Sequence, residues 1–380
     1  MNPDALLDDL RRRGNYRTIP KVYAGDLLDL TGNDYLGLAR RDDLRMQFLD
    51  SEAVRRLPFT SSASRLLAAQ QEEYSRLEAK LEDLYGGRSA LLFNSGYHAN
   101  SGLIPALTEQ SDTVILADRL VHASIIDGIM LSKCRFERWR HNDYSHLERL
   151  VAKYTADNTV ATILIVAESV YSMDGDRADI ERLVEIRRSA PGVLLYVDEA
   201  HALGVEGPAG LGLTMEPEVA GKVDITVGTF GKALASVGAF AVMPPVLREL
   251  SVNRSRSLIF STSLPPVNVA WTRVMMDVMA GMDTERARLR DTAREVAGAV
   301  NAVCPDRPVQ PGHIVPLVTG SAERAVALSN EFLKRGVKVL PIRTPTVPPG
   351  TERLRISLNA AMTPGDVSLL KSALSETSVK

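Results

Sequence analysis

One lysine stands among small residues in Thr229-Phe230-Gly231-Lys232-Ala233-Leu234-Ala235-Ser236-Val237-Gly238, just after the apolar run Val223-Asp224-Ile225-Thr226-Val227. A lysine in such surroundings is expected in a pocket rather than on a solvated helix face. Burial disfavours the ammonium form, so the amine of Lys232 becomes easier to deprotonate and can attack a carbonyl carbon. The plainer alternative is a surface lysine in a Gly/Ala loop, and this stretch alone does not separate the two. A Walker phosphate loop is excluded. It needs Gly five residues before the Gly-Lys pair and Ser or Thr after it, where this chain has Thr226 and Ala233.

A second stretch tips the balance. Val193-Leu194-Leu195-Tyr196-Val197 reads as a buried strand ending in Asp198-Glu199-Ala200-His201. In α/β sheets, ligand-binding groups gather at the carboxyl ends of strands. By itself Asp198 would read as a helix N-cap. With a histidine three residues on and a lysine-bearing strand end downstream, the set suits pyridoxal phosphate (PLP). Lys232 would condense with its aldehyde. Asp198 would keep the pyridinium nitrogen protonated, so that the ring can act as an electron sink.

These motifs, with others in order from about Asn33 to Thr363, resemble the α-oxoamine synthase family of fold-type I PLP enzymes. The resemblance implies an α/β fold of the aspartate aminotransferase type. A large domain with a mainly parallel, doubly wound sheet would be followed by a smaller C-terminal α/β domain. Repeated strand–helix units across residues 88–242 agree with this independently. The expected organisation is an N-terminal segment 1–45, a PLP-binding domain 46–265 and a C-terminal domain 266–380.

Residue roles follow from the resemblance one motif at a time. Asn94-Ser95-Gly96-Tyr97 joins an apolar strand to a helix. It could be a plain Ser-Gly turn, but a helix N-terminus is also a ready phosphate seat. Its likeness to the family's phosphate cup makes Ser95, Gly96 and Tyr97 cofactor contacts. The His-Ala-Ser motif implies that His122 stacks on the PLP ring. Asp198 and His201 would serve the ring nitrogen and the phenolic oxygen. Ser169 and Thr229 would lie beside the cofactor, and Glu168 is a candidate buried acid in the same set. Ser261 and Thr262 would reach the phosphate of the other subunit, which implies a homodimer with shared active sites. Asn33, in Asn33-Asp34-Tyr35-Leu36-Gly37, would lie near the amino-acid substrate. Arg355, in Arg353-Leu354-Arg355, would grip its carboxylate; alternation on its strand alone would make Arg355 a surface residue. The chain departs from the family pattern at Ser61-Ser62-Ala63, usually richer in glycine, at Tyr74 in place of a histidine, and at Met362 in place of another.

The implied reaction is a decarboxylative condensation of an amino acid with an acyl-CoA or acyl-carrier protein, with Lys232, His122, Asp198 and His201 as the catalytic set. L-Alanine and a pimeloyl thioester are the expected pair. Glycine with acetyl-CoA and serine with palmitoyl-CoA stay open, as does a catalytically idle subunit serving only in assembly.

Composition bounds the remainder. The chain has 380 residues, 45% of them hydrophobic, enough for a large domain plus a smaller one. A formal charge of −2 argues against a general nucleic-acid binder. Cys134 and Cys304 form no motif and suggest free thiols in a reducing compartment. No run approaches a membrane span, and the acidic start lacks a secretory core, so the cytoplasm is expected. Residues 4–13 read as an amphipathic helix through Leu6, Leu7 and Leu10. Arg11-Arg12-Arg13 is expected on a solvated face, with acyl-CoA phosphates as the sharper alternative. Arg140-His141-Asn142-Asp143-Tyr144-Ser145-His146 lacks a zinc spacing and is read as a polar turn. Gly204–Gly212 does not fit the dinucleotide-binding pattern and reads as an active-site loop.

Overall fold

The computed structural model describes residues 2–19, 26–69 and 71–376. Among them the chain makes twelve strands. A two-residue β1 (Leu28–Asp29) comes first. Seven strands follow: β2 (Ser89–Phe93), β3 (Thr113–Asp118), β4 (Arg135–Trp139), β5 (Thr162–Glu168), β6 (Val193–Asp198), β7 (Ile225–Thr229) and β8 (Ala239–Met243). The last four are β9 (Ile314–Val318), β10 (Val337–Lys338), β11 (Leu340–Ile342) and β12 (Arg353–Ser357).

Two compact units result. The larger holds residues 36–171 and 177–283; the smaller holds residues 1–35, 172–176 and 284–380. These divisions differ from the three consecutive segments expected from the sequence. Residues 266–283 go with the larger unit because the helix Pro266–Ala280 packs on the helix Glu72–Leu84.

The larger unit is built on a seven-stranded sheet of order β2-β8-β7-β6-β5-β3-β4. Strands β7, β6, β5, β3 and β4 run parallel, and β8 is antiparallel to both β7 and β2. Strand β2 therefore points the same way as β7, and the mainly parallel sheet is as expected. The apolar composition of β3, β5, β6 and β7 matches burial on both faces. One consequence is positional: the carboxyl ends of β2, β3, β5, β6 and β7 lie along one edge of the sheet. Each is followed by a motif singled out above. The helix Gly96–Ala106, which leaves β2, buries Ala99, Leu103 and Ile104 completely. Burial of a Leu or Ile side chain stabilises by about 1.5–3 kcal/mol, and this packing fixes where the helix N-terminus stands.

In the smaller unit, β11, β12 and β9 form an antiparallel sheet, and β1 pairs in parallel with β10. The helices Ala322–Lys334 and Pro364–Ser375 belong to the same unit. The apolar run Val337-Lys338-Val339-Leu340 reads as one strand in sequence. In the structure it divides at Val339, because β10 pairs with β1 and β11 pairs with β12. No helix among the described residues is long and apolar enough to cross a membrane.

Candidate active site

At the carboxyl edge of the large sheet lies a cavity of about 190 Å³. It is lined by Lys232 and Thr229 from the end of β7, Asp198, Ala200 and His201 from β6, and Glu168 from β5; His122 and Ser124 follow β3, and Gly96, Tyr97 and Asn100 follow β2. Eight of the expected site residues and Glu168 reach this neighbourhood from separate parts of the chain: Gly96, Tyr97, His122, Asp198, His201, Thr229 and Lys232 at its walls, and Ser95 as the N-cap of the helix Gly96–Ala106.

The Lys232 amine lies 2.7 Å from His201 Nε2. Asp198 is only 4% exposed. Its Oδ1 accepts from the Ala200 amide at 2.8 Å, and its Oδ2 accepts from Asn100 Nδ2 at 2.7 Å. Asn100 in turn accepts from the Tyr196 hydroxyl at 2.6 Å and donates to Ser124 Oγ at 2.9 Å. Ser124 Oγ lies 2.7 Å from His122 Nδ1, which also caps the helix Ala123–Ser132 by accepting from the Ser124 amide. One buried network therefore joins the carboxylate of Asp198 to the imidazole of His122 through Asn100.

Glu168 stands directly opposite Asp198 in the β5–β6 ladder. Its carboxyl accepts from the His122 backbone amide. Burial, and then the like charge of Asp198, push Glu168 well above the usual carboxylate range. The two carboxyls stand in different surroundings, Glu168 beside the His122 amide and Asp198 between Ala200 and Asn100. Burial also holds His122 below its ordinary value; Asp198 works against this and Lys232 with it. An imidazole that stays neutral is suited to lie against a ring.

The remaining expected residues are placed as follows. Thr229 Oγ1 donates to the Gly238 carbonyl at 3.1 Å and accepts from the Gly231 amide. Tyr97 is half exposed, and its hydroxyl donates to Asp127 at 2.6 Å. Ser169 does not line the cavity. It is completely buried, and its hydroxyl donates to Glu199 Oε2 at 2.5 Å. Ser261 and Thr262 do not line it either: Asn94 Nδ2 donates to Ser261 Oγ and to the Thr262 carbonyl. Asn33 and Arg355 belong to the smaller unit. There Arg355 is 3% exposed, against the surface position that alternation alone would give it. Its Nη2 donates to Asn33 Oδ1 at 3.0 Å.

Tyr74, the departure from a family histidine, is buried, and its hydroxyl donates to the Leu264 carbonyl. His141 Nδ1 pairs with the buried Asp118 at 2.8 Å, and His146 Nδ1 accepts from the Arg140 amide. Both histidines of that turn are thus engaged within the fold. No cluster of three or more potential metal ligands occurs among the described residues.

Asn100 and Glu199 were not singled out in the sequence. Asn100 carried no signal beyond lying one helical turn past Gly96. Glu199 follows Asp198, and strand alternation turns it to the opposite side. There it accepts from the Ser169 hydroxyl and, at 2.6 Å, from the Thr214 amide, tying down the glycine-rich loop. At Gly212, φ is +96° and an added Cβ would lie 2.6 Å from the Glu199 carboxyl carbon, so the loop can close on this acid only with glycine there.

Burial raises Glu199 to about 7. Its folded-state value lies above its unfolded value, so the native state binds the extra proton between about pH 4.5 and 7, and stability falls as pH rises through that window. Glu199→Gln, which does not titrate, is expected to flatten this part of the curve of Tm against pH. The difference should amount to roughly 3 kcal/mol across the window. An unchanged slope in thermal melts would contradict the assignment.

PLP suits this donor set. Its aldehyde, ring nitrogen and phosphate call for an amine, a carboxylate and an anion seat. The cavity offers Lys232, the buried carboxyl of Asp198, and a helix N-terminus with a threonine hydroxyl beside it.

Comparisons with known proteins agree. The family model for aminotransferase class I and II matches residues 25–374. A Pasteurella multocida (strain Pm70) protein with the provisional name 8-amino-7-oxononanoate synthase is 43% identical over 379 residues, 97% of each chain. A solved serine palmitoyltransferase from S. paucimobilis with bound PLP is similar at a TM-score of 0.86 and 28% identity, covering 97% of this chain and 96% of the other. An 8-amino-7-oxononanoate synthase from Francisella tularensis is similar at a TM-score of 0.77 and 25% identity, with 92% and 97% covered.

Proposed function

Because the chain belongs to the aminotransferase class I and II family and is a PLP-dependent acyltransferase of the α-oxoamine synthase kind, we propose that it condenses L-alanine with pimeloyl-CoA or a pimeloyl-carrier protein. The products are 8-amino-7-oxononanoate, the free thiol carrier and CO₂, a step of biotin biosynthesis. The named substrates rest on similarity to the P. multocida protein along nearly the whole chain. The reaction class rests on the amine and two facing carboxyls round one cavity.

When bound, PLP supplies an electron sink for the negative charge left on the alanine Cα. The chain supplies the rest. Lys232 is the amine that would hold the cofactor and, when free, would take the Cα proton; a placed general base contributes about 10²–10⁴-fold. Asp198 would hold a proton on the ring nitrogen, and the Asn100 network fixes its side chain for that task. His122 covers the ring face, and His201, beside Lys232, serves the phenolic oxygen. The helix N-terminus at Ser95, Gly96 and Tyr97, with Thr229, takes the phosphate. Ser169 supports this set through its backbone amide, which donates to the Asp198 carbonyl at 2.9 Å. Arg355 and Asn33 take the alanine carboxylate.

The enzyme works as a homodimer, in which Ser261 and Thr262 reach the phosphate of a second copy. In support, the larger unit leaves Phe59, Leu67 and Phe260 81%, 79% and 70% exposed, apolar side chains that a second copy would cover.

The test is thiol release from pimeloyl-CoA with and without L-alanine, beside acetyl-CoA with glycine and palmitoyl-CoA with serine. Release is expected to depend on alanine and pimeloyl-CoA together. A clear preference for serine and palmitoyl-CoA, the reading favoured by the structural likeness to serine palmitoyltransferase, would replace the named substrates and leave the reaction class.

A further inference from the structure

Arg355 is held from every side within the smaller unit. Its Nε donates to the Ser172 carbonyl at 2.6 Å, and Nη1 donates to Ser357 Oγ at 2.6 Å. Nη2 donates to Asn33 Oδ1 at 3.0 Å and to the Tyr35 hydroxyl at 3.2 Å. The Tyr35 hydroxyl itself donates to Asn33 Oδ1 at 3.0 Å. Asn33 Oδ1 thus receives two donors. A guanidinium can only donate, so the Asn33 amide has one workable orientation: oxygen toward Arg355 and Tyr35, NH₂ turned away. The geometry points to Tyr35 as the positioning residue for carboxylate recognition. It fixes the Asn33 amide with its donors outward and keeps Arg355 in the same plane of bonds, so that two donor groups meet an incoming carboxylate already oriented. This rests on the assignment of Arg355 to the alanine carboxylate.

Two further features fit this role. Tyr35 is fully buried, and the His313 ring meets its own edge-on at 4.4 Å, so the phenol cannot swing. Burial raises it to about 12, which keeps it a donor at every working pH.

The experiment uses PLP-loaded enzyme and reads the change in cofactor absorbance on adding L-alanine or, as a ligand without a carboxylate, ethylamine. Tyr35→Phe keeps the ring and removes only the hydroxyl. It is expected to weaken L-alanine binding roughly 10-fold, the scale of one hydrogen bond in a charged set, and to leave ethylamine and cofactor affinity unchanged. Arg355→Lys serves as the reference and should weaken L-alanine at least as much. If Arg355→Lys weakens alanine and Tyr35→Phe does not, Tyr35 has no positioning role. Equal loss of alanine and ethylamine in Tyr35→Phe would also overturn it, as general damage. If Arg355→Lys binds alanine like the wild type, the assignment of Arg355 to the carboxylate falls, and the role of Tyr35 with it.

Discussion

Lys232→Ala is expected to lower kcat by more than about 10⁴-fold, the upper range for a placed general base, because in the mechanism proposed the same side chain also carries the cofactor. The visible spectrum should change from that of a lysine-bonded cofactor to that of the free aldehyde. Structural damage should be slight. Lys232 sits in a loop, and its amine meets His201 rather than any core packing. The check is steady-state thiol release together with absorbance. A variant that keeps wild-type colour and rate would remove the lysine from the chemistry altogether.

Asp198→Asn should lower kcat roughly 100–1000-fold, the scale for removing one preorganised polar group from a site. It should also cost stability, for a reason visible in the network. Asp198 accepts on both oxygens, from the Ala200 amide and from Asn100. An asparagine has one oxygen. Asn100 cannot reverse to compensate, because its own oxygen is held by Tyr196. One buried donor is then left over, at a cost of about 1–3 kcal/mol. A third effect separates this from mere unfolding. With the charge of Asp198 gone, one cause of the raised Glu168 is removed, and Glu168 should ionise at lower pH. Infrared spectroscopy of the carboxyl C=O band against pH measures that directly.

Much of this site can be read from sequence because its largest parts are contiguous. Asp198 and His201 belong to one strand end, Lys232 to another, and apolar runs mark both strands. What could not be read is which distant group each side chain meets. Asn100 lies 98 residues from Asp198 and 24 from Ser124, yet touches both. Its identity hints at nothing until the helix after β2 is laid on the large sheet and the side chain reaches β6. Ser169 shows the same limit from the other side. Its place beside the motif is plain in sequence, but its hydroxyl is spent on Glu199 and not on the cavity wall. Arg355 defeats strand alternation for a related reason. Arg353 and Arg355 both reach the segment 172–176, through the Ser172 and Met173 carbonyls and Asp174, and this inserted piece of chain covers what would otherwise be a solvent face. The expected division into consecutive domains misses the same insertion, since no change of composition marks those five residues.

The smaller unit is assembled from three separated stretches, and β1 near the start of the chain pairs with β10 near its end. During synthesis, β1 must therefore wait without its partner until the ribosome has passed Lys338. A chain halted after residue 283 would carry every strand of the large sheet and all the residues that line its cavity, but neither Arg355 nor a mate for β1. On the roles proposed, a nascent chain of this design completes the cavity of its larger unit first, and the group assigned to the amino-acid carboxylate follows only later.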